Sequence, residues 1–92
     1  MYVHLLRMFR DAQADFPERF RAARSRRDFD AAMRMAHDLK SVAGSLAVLA
    51  VNRSASELEQ ACIDCGDDAR IETLLQEVAR PLDSVIAQLG AL

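Results

Sequence analysis

The chain reads as all-α, an antiparallel four-helix bundle with a short extra helix at its N-terminus. Three observations predict this. Of 92 residues, sixteen are Ala and eleven are Leu, while Val, Ile and Thr together make ten, a balance that favours helix over sheet. Apolar residues recur at spacings of three and four along almost the whole sequence. Two Pro, three Gly and no Trp argue against a sandwich built on many tight turns. The length suits one domain over residues 1–92 with one small core.

The first helix is expected from Val3 to Ala14, with Leu5, Leu6, Phe9 and Ala12 on its inner face. Asp15-Phe16-Pro17-Glu18 marks the second helix start: Asp15 as N-cap, Pro17 in the first turn and Glu18 completing a capping box. Phe16, Phe20 and Ala23 point inward there, and Arg19, Arg21, Arg24, Arg26 and Arg27 crowd the outside and the helix end. Asp28 or Asp30 caps a third helix that runs to about Leu46, with Ala32, Met35, Ala36, Leu39, Val42, Ala43 and Leu46 apolar. After a brief turn the fourth carries Val48, Val51, Ala55, Leu58, Cys62 and Cys65 on one seam, and Gly66 stands where a left-handed cap is wanted. Asp67 or Asp68 starts the last helix, which places Ile71, Leu74, Leu75, Val78, Leu82, Val85, Ile86 and Leu89 inward and is expected to kink at Pro81.

Charge and cysteine content narrow the function. Twelve Lys+Arg against fourteen Asp+Glu give a net charge of −2 and a pI near 5.6. Proteins that live on nucleic acid or anionic lipid usually show the opposite balance, so neither partner is expected. The arginine cluster is then a solvated face or a contact surface for an acidic partner. No apolar run has the length of a bilayer span and no signal segment opens the chain, so the cytoplasm is the expected compartment. Cys62 and Cys65 spell Cys-x-x-Cys. They lack a preceding strand and a second ligand pair, and they fall on the apolar seam, so core filling is expected rather than redox or zinc chemistry.

One helix face carries chemistry. At about 100° per residue, the apolar stripe of the third helix centres on Leu39 and Ala43, and His37 falls nearly opposite, facing water. Met33, Lys40, Ser41 and Gly44 share that face at helical spacing. Lys40 sets a cation one turn from the imidazole, where an anion held on the ring would sit. Met33 offers an adaptable apolar contact. A glycine in an exposed helix costs about 1 kcal/mol relative to alanine, and Gly44 is explained if something large approaches closely beside His37. The other histidine, His4, has no polar partner near it in sequence and is read as incidental.

The hairpin adds a carboxylate. If the third and fourth helices fold back near Val48, then His37 and Glu59 lie equally far from the turn and stand level. A carboxylate that accepts the Nδ1 proton fixes the tautomer and leaves Nε2 as the free nucleophile. Spacing alone equally allows a solvated Glu on the helix flank.

The run Ala36-His37-Asp38-Leu39-Lys40-Ser41-Val42-Ala43-Gly44-Ser45-Leu46 resembles the signature of histidine-containing phosphotransfer (HPt) domains, with Ala55, Leu58-Glu59 and Ala61 similar to the family's following helix. The resemblance extends from about Val3 to Leu89. It implies that His37 takes a phosphoryl group from an aspartyl-phosphate of one receiver domain and passes it to another. It further implies that Lys40 helps hold the phosphoryl oxygens and that Glu59 hydrogen-bonds the imidazole. The expected partners are response-regulator receiver domains, in the setting of a hybrid sensor histidine kinase or of a stand-alone protein; the domain is expected to be a monomer, and the sequence leaves open whether a parent chain is anchored in a membrane. Mg²⁺ is expected in the receiver and no cofactor in this chain. Two positions depart from the pattern: Ser41 stands where the family usually has Gly directly after the Lys, and Ala47 replaces a later Gly near the turn.

Gly44, Gly66 and Gly90 are scattered, so no phosphate-binding loop is present, and self-phosphorylation from ATP is not expected. The chain is a covalent carrier rather than a kinase. The competing reading is a helical adaptor that binds receiver domains without phosphotransfer, a possibility that Ser41 keeps open.

Overall fold

The computed structural model describes residues 2–90, apart from the side chains of Tyr2, Leu89 and Gly90. The core position expected for Leu89 therefore lies outside the described residues. Five helices follow one another: α1 (Tyr2–Gln13), α2 (Phe16–Ser25), α3 (Phe29–Ser45), α4 (Leu49–Ile63) and α5 (Asp68–Gly90). Short turns join them, α5 runs unbroken through Pro81, and the whole measures 38 × 19 × 18 Å. The chain is an all-α bundle with an extra N-terminal helix.

The predicted stripes fill the centre. Phe16, Phe20, Leu39, Leu58, Ile71, Leu75, Val78 and Leu82 are buried, and each large side chain contributes about 1.5–3 kcal/mol. The Phe16 and Phe20 rings stand 5.8 Å apart and anchor α2. Between α3 and α4 the buried residues are mostly small: Ala32, Ala36 and Ala43 on one side, Ala55 and Ala61 on the other. Small side chains let two helices approach closely, and among the described helices this pair shares the most extensive contact.

Three of the turns share one design. Arg27, Ala47 and Cys65 each adopt positive φ, near 60°, just past a helix end. Around them Asp28 N–H donates to Ala23 C=O, Val48 N–H to Ala43 C=O and Gly66 N–H to Ala61 C=O, at 2.9, 2.8 and 2.8 Å. The positive-φ residues donate to Arg24, Gly44 and Cys62, which completes a Schellman cap each time. Asp28 then caps α3 by accepting Ala31 N–H at 3.2 Å, and Asp67 caps α5 by accepting Arg70 N–H at 2.8 Å.

Several expectations are corrected. The left-handed residue after α4 is Cys65, one position before Gly66, because α4 ends at Ile63 and the cap falls there. For the same reason Cys65 is exposed rather than on the seam; Ala61 is the buried residue and Cys62 is half-buried. Burial raises the Cys62 thiol pKa. Asp15 makes no side-chain cap to α2; its carboxylate is taken by Arg19 at 2.9 Å, and Arg19 also donates to Ala12 C=O. Leu5 and Ala12 are exposed, leaving Phe9 as the buried anchor of α1. Val42 is exposed too, facing α1 across an open apolar groove that it lines with Leu5 and Met8. Part of the exposed arginine face is also paired. Arg21 pairs with Glu72 at 2.6 Å, Arg24 pairs with Asp68 at 2.7 Å, and Arg24 and Arg27 lie over the Phe29 ring.

Candidate functional site

The α3–α4 hairpin turns at Ala47–Val48, so residues equidistant from Val48 face each other across the antiparallel pair. His37 and Glu59 are such a pair. His37 leaves the buried stripe of Ala36 and Leu39 and projects outward, its side chain 54% exposed. Glu59, next to buried Leu58, is held at the seam with its side chain only 13% exposed.

The carboxylate is shared. Glu59 Oε2 lies 2.6 Å from His37 Nδ1, and Glu59 Oε1 accepts from Lys40 Nζ at 2.6 Å. Both lengths fit charge-assisted hydrogen bonds. The Lys40 bond first, and the His37 bond after it, hold the Glu59 carboxyl below its ordinary pKa against the opposing effect of burial. An ionised Glu59 is a pure acceptor, so the neutral imidazole beside it carries its proton on Nδ1. No partner for Nε2 is found among the described residues, and the side chain that carries it is exposed.

The other predicted residues surround this centre. Ser41 and Gly44 are exposed on the same face, and Met33 is half-buried rather than open. Ser41 C=O accepts from Ser45 Oγ at 3.1 Å. Lys40 is half-buried and aims along the seam toward Glu59 rather than standing free in solvent.

Asn52 was not among the residues singled out from the sequence. Its side-chain amide crosses from α4 and donates to the Lys40 backbone carbonyl at 2.8 Å. A Cβ on Gly44 would stand 3.0 Å from the same amide nitrogen, so this glycine leaves room for a group of its own chain. The signal was available: Gly44 and Asn52 are equidistant from Val48, just as His37 and Glu59 are.

A family profile described as Hpt domain matches residues 4–91. The chain belongs to the Hpt domain family. Members are helical bundles that carry out histidine phosphotransfer in two-component phosphorelays and interact with receiver domains of response regulators. No match is found among curated proteins or among solved structures. Among the described residues of this Hpt domain, no helix is long and apolar enough to cross a membrane, and no group of His, Cys, Asp and Glu is placed to hold a metal ion.

Proposed function

We propose that this Hpt domain is a phosphorelay intermediate that receives and donates a phosphoryl group at His37 Nε2. The observation that carries the reading is the outward Nε2 of a ring whose other nitrogen is engaged by Glu59. The Nε2 lone pair forms a bond to phosphorus of a receiver aspartyl-phosphate while the phosphorus–oxygen bond breaks and the aspartate leaves as carboxylate. Positive charge that develops on the imidazole is met by Glu59 through Nδ1–H. The reverse sequence hands the group to a second receiver. Lys40 lies one turn away and exchanges part of its attraction from Glu59 to the phosphoryl oxygens. Mg²⁺ belongs to the receiver in this scheme, and this chain supplies nucleophile, orientation and docking face.

Met33 and Ser41 form the ground on which the receiver settles, and the apolar groove of Leu5, Met8 and Val42 adjoins it through Ser45. A hybrid sensor histidine kinase and its downstream regulator are the proposed setting, with the domain monomeric in the cytoplasm, where its two thiols stay free.

The test is transfer from a phosphorylated receiver. The wild-type chain takes an acid-labile, alkali-stable label; His37→Gln takes none and keeps its helical circular dichroism; Lys40→Ala is labelled more slowly without unfolding. Label that survives in His37→Gln overturns the assignment, and a wild-type chain that binds the receiver yet takes no label establishes the adaptor reading.

A further inference from the structure

We propose that Asn52 is a positioning residue for phosphotransfer, pinning α3 in register on α4 so that one carboxylate serves His37 and Lys40 together, and that Gly44 is glycine to admit it. The inference rests on the relay reading above. Glu59 must meet two donors at 2.6 Å each, one per oxygen. The spacing of its oxygens is fixed, so a small slide or roll of α3 satisfies one donor at the expense of the other. Leu39, Val51 and Leu58 resist such a slide by packing, while the alanines between them add little interlocking. Asn52 adds a directional constraint. It lies two turns from Glu59 on the same stripe of α4, and its amide holds the carbonyl of Lys40 itself. A carbonyl has two lone pairs, so it accepts this bond alongside the intrahelical one. The two cross-helix pairs, His37 with Glu59 and Gly44 with Asn52, obey one register, and the second stands between the turn and the reacting ring.

Asn52→Ala, Gly44→Ala and the double variant test this, with labelling rates measured over a range of phosphorylated receiver concentrations. Imidazole ¹⁵N shifts of the deprotonated ring are recorded separately, since they report which nitrogen carries the proton and need no phosphotransfer. In Asn52→Ala the maximal rate is expected to fall about three- to tenfold, the worth of one hydrogen bond expressed as a rate, with the half-saturating receiver concentration unchanged. The His37 ring is expected to lose its bias toward the Nδ1–H form. In Gly44→Ala the added methyl displaces the amide by a few tenths of an ångström. The melting temperature then holds or rises, through better helix propensity, while the maximal rate falls. The double variant matches Asn52→Ala alone.

Asn52→Ala that melts earlier but keeps both the wild-type rate and the wild-type ring signature makes Asn52 a purely structural residue and overturns the proposal. A Gly44→Ala effect that persists in the Asn52→Ala background, and appears as weaker receiver binding, overturns the part assigned to Gly44. If the wild type takes no label the relay reading fails, and the ring signature alone decides whether Asn52 positions His37.

Discussion

Two polar seams flank the apolar core of this bundle, and they are built on opposite plans. Between α2 and α5, long arginines span a gap: Arg21 to Glu72 and Arg24 to Asp68, each cation with its own carboxylate. Glu72 is 44% and Asp68 95% exposed in side-chain terms, so these pairs work in high dielectric and each is worth about 0–1 kcal/mol. Between α3 and α4, alanines bring the helices close, short side chains suffice, and one sheltered carboxylate is divided between two donors. The first seam satisfies every charge locally and leaves nothing to react. The second satisfies one nitrogen of a histidine and leaves the other open. Ion pairs alone do not mark a functional site; the role proposed for His37 rests on a ring held at one nitrogen and without a partner at the other among the described residues.

The largest expected difference between the seams is in transfer. Glu59→Gln keeps the size of the side chain but no longer offers two anionic acceptors, so the ring loses its tautomer bias and the charge that compensates it. The transfer rate is expected to fall about 10- to 100-fold, from the loss of a charge-assisted bond. Glu72→Gln breaks a bond of the same length, 2.6 Å, and is expected to leave transfer unchanged. Rates that fall equally in the two variants, measured with one phosphorylated receiver, would mean that the carboxylates act through bundle stability rather than chemistry.

That asymmetry was partly readable in the residues. The helical period put His37 opposite the core, and equal distance from Val48 put Glu59 level with it; the structure has both. Periodicity speaks only of helix faces, however, and three details lay outside its reach. It counted Cys65 as a seam position because it does not know where a helix stops; the Schellman bonds to Ala61 and Cys62 do. It read Gly44 from the face it exposes, whereas the nearest group is Asn52 across the seam, which only the packed pair reveals. It left the arginines unassigned, since partners some fifty residues away, such as Glu72 for Arg21, depend on how α5 returns beside α2. Local pattern fixed which surfaces are buried; long-range register decided which polar groups meet.

A smaller effect separates the turns at the ends of these seams. Ala47 joins α3 to α4 at φ 59°, in the position where the Hpt signature usually has Gly. A residue with a Cβ pays about 1–2 kcal/mol for that conformation, and glycine gives back part of it through its freer unfolded chain. Ala47→Gly is therefore expected to stabilise the domain by about 0.5–1 kcal/mol, seen as a melting temperature higher by a few degrees. Arg27→Gly relieves the same backbone cost at the α2–α3 turn but removes a guanidinium 5.9 Å from the Phe29 ring, so its gain should be smaller. An Ala47→Gly domain that melts earlier would show that the turn is held by contacts of the alanine methyl.

The smallest contrast is in acid. Lys40 lowers the pKa of Glu59, and Arg21 lowers that of Glu72. A carboxyl with a lower pKa in the fold than in the unfolded chain binds fewer protons when folded. Its stabilisation is complete above the unfolded value, about 4.3, and drains away as pH falls through the folded one. Subtracting the stability of Glu59→Gln from that of the wild type, by urea unfolding from pH 6 to pH 3, should therefore give a difference that declines toward acid, and the same holds in sign for Glu72→Gln. Salt separates them. Glu72 is open to solvent, so 1 M NaCl, with a screening length of about 3 Å, should flatten its pH dependence. Glu59 is sheltered at the α3–α4 seam and should keep most of its own. If salt erased both alike, the carboxylate beside His37 would be as wet as the one beside Arg21, and its claim to hold the ring in one tautomer would fall with its shelter.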